Sequence, residues 1–201
     1  ISMIFYRLSI IDQSTKGRQP MLSQSGRYTI VFNGEIYNAK KLREKIFNKV
    51  KFRGSSDTEV LINLYEIYGE KMLKFLKGMF SFVIYDNKTN KLFTARDRFG
   101  IKPLYYFKDE KTTIEKMLIK QELEANKNTF FKNIKMHEPA VFKFFTSRRE
   151  YSTNYWNIEQ NKKSNTNSKN KNIKHLSELV TDSTKEHLNS DVKLSLLLSG
   201  G

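Results

Sequence analysis

The segment 28–38 has the sequence YTIVFNGEIYN, and it decides how the chain is expected to fold. Residues 28–32 are mostly β-branched or aromatic, which is typical of a strand, and Ile36 resumes that pattern. Asn33-Gly34 lies between the two runs. Because Asn and Gly both tolerate positive φ, this dipeptide predicts a hairpin turn. Such a turn could also direct an amide side chain and a glycine N–H at one point, as an oxyanion hole requires, so a structural and a catalytic role both stay open.

The flanking segments predict a mixture of helices and strands. Ser56-Asp57-Thr58-Glu59 has the pattern of a capping box at a helix N-terminus, and Gly69 is the residue type expected just past the C-terminus of that helix. The predicted elements are helices over 39–47, 57–68 and 114–125 and strands over 3–11, 79–86, 91–96, 105–107 and 140–145. Antiparallel strands interleaved with helices predict an α+β fold, in which helices cover the sheets.

The composition narrows the classes of protein that the chain can belong to. Its 201 residues are 38% hydrophobic and 13% aromatic, which is enough for one packed core. No apolar run approaches the roughly 20 residues that span a bilayer, so no membrane partner is expected. The chain has no cysteine, and its histidines lack metal-ligand spacing, so no metal site and a cytoplasmic location are expected. The net charge is +15, but the lysines are scattered, so no nucleic-acid partner is expected.

The last third of the chain changes character. Segment 161–172 contains only Asn, Lys, Ser and Thr, which predicts a mobile linker. Apolar residues spaced along 173–180 then predict an amphipathic helix, and 192–198 predicts a buried strand that ends in Ser-Gly-Gly at 199–201. A glycine turn of this kind can bind phosphate through backbone N–H groups. An ordinary strand-to-helix turn is the alternative.

Two charged residues are candidates for binding a small ligand. Arg7, within an apolar strand, is either an edge residue or a partner for a carboxylate, because a guanidinium pairs with a carboxylate in a bidentate manner. Asp57 is either part of a helix cap or a partner for an ammonium group. Together they could hold both ends of a free α-amino acid. The charged loop 96–103 is either a structural turn with internal ion pairs or part of a site.

In their order along the chain, these motifs resemble the class II glutamine amidotransferase domain of glutamine-hydrolysing asparagine synthetases. The matching motifs are RLSIID at 7–12, QPM at 19–21, FNGEIYN at 32–38, SDTE at 56–59, GMFSF at 78–82 and ARDRFGIKPLYY at 95–106. Tyr155-Trp156 is similar to the end of that domain, and Leu198-Ser199-Gly200-Gly201 is similar to the start of the pyrophosphate loop of the family. Segment 108–136 departs from the family pattern.

The resemblance implies a fold and a division into domains. The implied fold is an Ntn-hydrolase, a four-layer αββα sandwich, over residues 1–156. A linker over 157–172 would follow, and 173–201 would supply the first helix and strand of an α/β ATP-pyrophosphatase domain. Glutamine, aspartate and ATP with Mg²⁺ would be the substrates and cofactors of the complete enzyme, and a homodimer is compatible with the resemblance.

The resemblance also implies the residues of two sites. The nucleophile of the family is an N-terminal cysteine with its own α-amine as base, and it is expected upstream of Ile1. Asn33 and Gly34 would form the oxyanion hole. The implied glutamine-binding residues are Arg7, Ile10, Ile11, Asn33, Gly34, Glu35 and Asp57, and the implied ATP-binding residues are Leu198, Ser199, Gly200 and Gly201.

Two alternatives stay open at this point. The acceptor of the ammonia could be a carboxylate other than aspartate, because related synthetases amidate other carboxylates. The chain could also be a non-catalytic glutamine-binding protein that keeps the fold without the nucleophile. Because the 201 residues contain no thiol, we expect no glutaminase activity from them alone.

Overall fold

A computed structural model of the chain describes residues 3, 12, 14–107, 116–118, 133–146, 149–159, 169–188, 190 and 193. The strand expected over 3–11 and the strand expected over 192–198 therefore lie almost wholly outside the described residues. No helix in the described ranges is both long and apolar enough to cross a membrane.

An antiparallel sheet of six strands forms the larger part of the described structure. The strands are β1 (Met21–Leu22), β2 (Tyr28–Ile36), β3 (Gly78–Asp86), β4 (Lys91–Arg96), β8 (Val141–Phe145) and β9 (Glu150–Asn154). They are arranged in the order β1-β2-β3-β4-β8-β9. The strands predicted over 79–86, 91–96 and 140–145 are confirmed to within a residue at their ends, whereas β1 and β9 were not predicted because neither has a clear apolar alternation.

The strand β2 corrects the first sequence prediction. It runs without interruption from Tyr28 to Ile36 and pairs with β3 along its whole length, with Asn33 opposite Ser81 and Gly34 opposite Phe80. The hairpin turn predicted at Asn33-Gly34 is therefore wrong. Local turn preference gives way here because all of 28–36, including Asn33 and Gly34, makes nine consecutive pairs with β3, which a turn at Gly34 would break.

Two helices cover one face of this sheet. They are α1 (Ala39–Ile46) and α2 (Asp57–Tyr68), and a 3-10 helix (Gly69–Lys74) follows α2. Both predicted helices are confirmed, and Gly69 takes a positive φ of 57° at the C-terminus of α2, as expected of a C-cap glycine. The core lies between the helices and the sheet, where alternate residues of the central strands point toward the helices. It includes Ile30, Phe32, Ile36, Leu61, Leu64, Phe80, Phe82 and Phe93.

A second, three-stranded antiparallel sheet packs against the opposite face of the first. Its strands are β5 (Tyr105–Phe107), β6 (Lys116–Leu118) and β7 (Ile134–Met136), in the order β6-β5-β7. The ring of Tyr106 packs on that of Phe145 in β8, with centroids 5.7 Å apart. The helix predicted over 114–125 is wrong at β6, which pairs with β5 as a strand, and the remainder of that segment lies outside the described residues. The described residues thus form three layers, α, β and β.

A long helix, α3 (Lys169–His187), follows β9, the last strand of the larger sheet, in sequence. It confirms the helix predicted from the apolar spacing of 173–180, but it begins inside the segment predicted to be a linker over 157–172. Asn and Lys residues at 169–172 join the helix because apolar residues follow them directly. Ile173, Leu176 and Val180 remain more than half exposed.

Candidate functional site

The N-terminus of α2 is held in place by a partly formed capping box. Ser56 accepts the N–H of Glu59 at its hydroxyl, at 3.2 Å, as predicted. The buried carboxylate of Glu59 accepts instead from the N–H groups of Arg53, at 2.7 Å, and Gly54, at 2.9 Å. Glu59 therefore fixes the loop before the helix, and this loop in turn determines where Asp57 lies.

Side chains from outside the sheet close the free edge of β2 at two points. Gln19 accepts the N–H of Phe32 at its Oε1 atom, at 2.6 Å, and donates from Nε2 to Thr58 Oγ1, at 3.2 Å. The buried carboxylate of Asp57 accepts the N–H of Ile36, at 3.1 Å. In an antiparallel strand alternate N–H groups point to the same edge. The N–H of Gly34 lies midway between these two positions, so it points to the edge that Gln19 and Asp57 share.

Position 34 requires glycine on two counts. Its φ is +144°, which side chains rarely adopt. A Cβ there would also overlap the carbonyl oxygen of Met79 and lie 2.7 Å from the Cα of Phe80. The facing strand has the reciprocal arrangement, because a Cβ on Gly78, at φ +150°, would overlap the carbonyl oxygen of Glu35. The two glycines let the ends of β2 and β3 approach more closely than any other residues would allow.

Glu35 carries a buried oxygen to which no described residue hydrogen-bonds. This oxygen, Oε1, is shielded from solvent. Burial raises the pKa of this carboxyl, and the nearby charge of Asp57 raises it further, while His187 and Lys102 act in the opposite direction. Two neighbouring carboxylates, one of them with an unsatisfied oxygen, form a site that favours a cation with N–H donors.

The amide of Asn33 completes this cluster. Its side chain is half-buried, and in the described part of the chain it makes no hydrogen bond. We refer to Asn33, Gly34, Glu35 and Asp57 as the edge site, because all four lie at or beside the free edge of β2. The structure brings these four predicted residues together. The other predicted site residues, Arg7, Ile10, Ile11, Leu198, Ser199, Gly200 and Gly201, lie outside the described residues.

The loop 96–102 lies on the other side of β3 from the edge site, and its buried charged groups are hydrogen-bonded to the backbone. Oδ2 of the buried Asp97 accepts from the N–H groups of Phe80, at 3.2 Å, and Lys102, at 2.9 Å. Oδ1 accepts from Phe99 and Ile101, both at 3.0 Å. Since Phe80 is the partner of Gly34, this loop supports β3 at the point that Gly34 approaches closely.

The guanidinium of Arg96 stabilises the same loop. Its nitrogens donate to the carbonyl oxygens of Lys102, at 2.8 Å, His137, at 2.7 Å, and Gly100, at 2.6 Å. The structural interpretation of this charged segment is therefore confirmed, with one correction: hydrogen bonds to backbone groups hold the turn, where internal ion pairs were expected.

A second buried polar cluster was not predicted. Lys143 is 4% exposed in the middle of β8, and its Nζ lies 3.1 Å from Tyr106 Oη, Glu150 Oε1 and Glu138 Oε2. Burial opposes the charged ammonium, but Tyr106 and the carboxylates outweigh burial and raise the pKa of Lys143. No sequence pattern indicates this cluster, because its members come from separate strands and a short loop.

The histidines are packing or surface residues, as predicted. His137 is fully buried between the sheets, where Nε2 lies 3.0 Å from Thr94 Oγ1, and burial lowers its pKa to about 4. His187, at the end of α3, packs against Tyr37 in a tilted arrangement, with ring centroids 4.0 Å apart. His175 is exposed. Within the described ranges, no group of His, Cys, Asp or Glu side chains could hold a metal ion.

Comparison with known proteins now defines the class. Residues 1–175 match the family described as "Glutamine amidotransferase domain", and the chain belongs to that family. Over nearly all of its length it is similar to glutamine-hydrolysing asparagine synthetases. It is 35% identical to asparagine synthetase 1 of Bacillus subtilis over 98% of this chain, and 35% identical to asparagine synthetase B of Escherichia coli over 97%.

A relative with a different name matches the chain over a similar share of its length. The amidase chry2 of Gibberella zeae is 31% identical over 97% of this chain. The chain spans about a third of the length of each of these relatives: 34% of both synthetases and 32% of the amidase.

Solved structures show the same fold. Glutamine phosphoribosylpyrophosphate amidotransferase from B. subtilis, complexed with ADP and GMP, superposes with a TM-score of 0.51 at 20% identity, covering 71% of this chain and 33% of that chain. An allosteric regulatory enzyme of purine biosynthesis superposes with a TM-score of 0.52 at 22% identity, covering 70% and 32%. The likeness confirms the Ntn-hydrolase type of fold predicted for the first domain.

Proposed function

We propose that the edge site binds glutamine, and that the chain is the glutaminase part of a cytoplasmic enzyme that amidates aspartate to asparagine. The observation that carries the proposal is the arrangement of polar groups at the free edge of β2. The N–H of Gly34 points to that edge, and the amide of Asn33 beside it makes no hydrogen bond among the described residues. The buried Oε1 atom of Glu35 has no partner among the described residues either, although a buried polar group normally has one.

The groups of the edge site match the groups of glutamine. Glu35 and Asp57 are carboxylates suited to the α-ammonium group, and Arg7 would pair with the α-carboxylate. Asn33 and Gly34 would donate to the side-chain carbonyl oxygen, which gains negative charge when a nucleophile attacks the amide carbon. The nucleophile in this proposal is the upstream cysteine that the resemblance implies.

The rest of the proposed reaction depends on residues outside those described. ATP with Mg²⁺ would activate the carboxylate of aspartate as an acyl-adenylate, and ammonia from glutamine would displace AMP. The glycine turn at 198–201 would bind the phosphates. A homodimer of the complete enzyme is part of the same proposal.

A second candidate function differs in the acceptor. The fungal relative at 31% identity is named an amidase, and it matches the chain over as great a length as the synthetases do. The edge site would bind glutamine in either case. The two functions are distinguished by supplying the complete gene product with glutamine, ATP, Mg²⁺ and aspartate, because only the first predicts asparagine and AMP in equal amounts.

The glutamine-binding part of the proposal is tested by nuclear magnetic resonance. We expect glutamine added to the ¹⁵N-labelled chain to shift the backbone amide of Gly34 and the side-chain amide of Asn33. We expect Asp57→Asn to weaken binding at least about 10-fold, because it removes a charge that faces the ammonium group.

A matched variant separates this effect from a general loss of charge. Asp86 lies at the other end of β3 and pairs with Arg27 at 2.7 Å, so Asp86→Asn makes the same chemical change far from the edge site. It should leave glutamine affinity unchanged. Glutamine shifts that are centred elsewhere, or an equal loss of affinity in both variants, would contradict the proposed site.

A further inference from the structure

The hydroxyl of Ser81 is a buried polar group that the proposed mechanism does not yet use. Ser81 lies in the middle of β3 and is 0% exposed, and its Oγ atom has no hydrogen-bond partner among the residues that the structure describes. Buried hydroxyls without partners are uncommon in folded proteins, because removing the group from water without replacing its hydrogen bond costs stability. The cost suggests a second state of the site in which this hydroxyl is bonded.

The register of the sheet places Ser81 between two residues on the same face. It is opposite Asn33 on β2 and opposite Arg96 on β4. Directly opposed residues of antiparallel strands have their Cβ atoms about 4.5–5.5 Å apart on one face of the sheet. Each guanidinium nitrogen of Arg96 already donates to a carbonyl oxygen. Asn33 is therefore the neighbour within reach whose side chain is not engaged in the described structure.

The chemistry of an amide explains why such a partner is needed. To stabilise negative charge, Asn33 must present its Nδ2 donor, and its Oδ1 acceptor must then face away from the substrate. An amide can rotate by half a turn and present the wrong group. A hydroxyl donor opposite Oδ1 selects the productive orientation, and Ser81 is the residue placed to supply it.

We propose that Ser81 is a positioning residue, which donates a hydrogen bond to Asn33 Oδ1 when glutamine is bound and so directs Asn33 Nδ2 at the side-chain carbonyl oxygen of glutamine. The inference rests on the proposed function, because it concerns the same site. Phe80 and Phe82 on either side of Ser81 belong to the opposite, core-facing side of β3, so they do not compete for this role.

Ser81→Ala is the test variant, and calorimetric titration with glutamine is the measurement. We expect the dissociation constant for glutamine to rise about 3- to 10-fold, as for the loss of one hydrogen bond. The thermal midpoint of the unliganded chain should stay the same or rise, because the variant removes an unsatisfied hydroxyl. Ser81→Thr keeps the hydroxyl and should recover most of the affinity.

Norvaline gives a readout that a purely structural role would not produce. It has the α-ammonium and α-carboxylate groups of glutamine but no side-chain amide, so its affinity should be equal for the original chain and Ser81→Ala. Ser23→Ala is the matched control. Ser23 is 2% exposed, but its hydroxyl accepts from the N–H of Tyr28 at 3.3 Å. That variant should lower the thermal midpoint and leave glutamine affinity unchanged.

The outcomes separate this inference from the proposed function. If the original chain binds glutamine and Ser81→Ala binds it equally well, the role of Ser81 is overturned and the edge site stands. If Ser81→Ala weakens norvaline and glutamine by the same factor, Ser81 does not act through the amide, and the inference is again overturned. If the original chain does not bind glutamine, the proposed function fails, and the role of Ser81 fails with it.

Discussion

The edge site and the loop 96–102 lie on opposite sides of the same strand, β3, and they treat buried polar groups in opposite ways. In the loop, the carboxylate of Asp97 accepts four backbone N–H groups, and the guanidinium of Arg96 donates to three carbonyl oxygens. At the edge site, Glu35 has a shielded oxygen with no partner among the described residues, and the same is true of the hydroxyl of Ser81 on the neighbouring strand.

The difference separates a charged motif whose hydrogen bonds are made within the fold from one whose polar groups are suited to bind a ligand. A fully bonded polar group has already gained its stabilisation within the fold, so it has little to offer a ligand. An unsatisfied buried group lowers stability, and a ligand that satisfies it recovers that free energy as binding. In sequence, 32–38 and 95–103 are comparably rich in polar and glycine residues, and only their hydrogen bonds separate them.

The largest expected effect comes from removing the close approach of the two strands. Gly34→Ala should reduce the free energy of unfolding by roughly 3–5 kcal/mol, because the added methyl group meets backbone atoms of Met79 and Phe80 that cannot move away independently. Denaturant unfolding followed by circular dichroism measures the loss. Glutamine binding should be lost as well, since the N–H of Gly34 would be displaced.

Gly26→Ala is the matched control for this change. Gly26 has a φ of +75°, but a Cβ there would have nothing within 4 Å. It should cost about 1 kcal/mol, which is the penalty for the backbone conformation alone. Similar losses of stability for Gly26→Ala and Gly34→Ala would show that backbone conformation, and not the contact with β3, is what requires glycine at position 34.

The second prediction makes the same chemical change on both sides of β3. Asp97→Asn should lower the free energy of unfolding by roughly 3 kcal/mol, because an amide NH₂ would replace one acceptor oxygen and face N–H groups. Glu35→Gln should change stability by less than about 1 kcal/mol, because its buried oxygen has no partner among the described residues to lose, and it should weaken glutamine binding at least about 10-fold.

Unfolding midpoints and calorimetric titrations of the two variants provide the comparison. Glutamine binding is compared at a temperature at which Asp97→Asn remains folded. We expect Asp97→Asn to bind glutamine more tightly than Glu35→Gln does, because Asp97 is structural and Glu35 belongs to the edge site. A large loss of stability in Glu35→Gln would show that Glu35 is a structural carboxylate, and the distinction between the two regions would then be lost.

Sequence patterns were sufficient for much of the fold on the helix-covered side of the larger sheet. Local periodicity and capping chemistry predict the helix at 39–46, the serine cap of α2 and the strands β3 and β4. Each of these features depends on a segment of only about ten residues. The Asn33-Gly34 turn was wrong because its outcome depends on pairing with β3, nearly fifty residues further along. The conformational preference of a dipeptide contains no information about a strand that is distant in sequence.

The site shows the same division between local and distant information. The resemblance implied that Asn33, Gly34, Glu35 and Asp57 share one site, and the structure places Asp57 beside Ile36 and Glu35 although it is more than twenty residues further along. Their roles in binding glutamine stay a prediction. The hydrogen bond from Gln19 to the edge of β2 and the orphaned hydroxyl of Ser81 could not be predicted. Both depend on which strand lies beside which and in what register.

The smallest expected effect is a dependence of glutamine binding on pH. Burial raises the pKa of Glu35 above its ordinary value, and Asp57 raises it further. The ammonium group of glutamine favours the ionised form, so binding releases a proton from the fraction of Glu35 that is protonated. Affinity should therefore fall as the pH falls through this raised pKa, by at most about 10-fold per pH unit for a single proton. Titrations between pH 4 and pH 8 measure it.

The raised pKa of Glu35 has the opposite effect on the stability of the unliganded chain: low pH weakens glutamine binding but stabilises the fold. A carboxyl whose pKa is raised on folding stabilises the fold below its unfolded pKa, and this contribution is lost as the pH rises through the folded value. Glu35→Gln should remove both dependences together, whereas Asp86→Asn should leave both in place. Lys102 and His187, which also face Glu35, lower its pKa and so reduce the size of each effect without changing its sign. Glutamine affinity that rises with acidity in the original chain would show that Glu35 binds glutamine in its protonated form, and would assign the ammonium group to Asp57 alone.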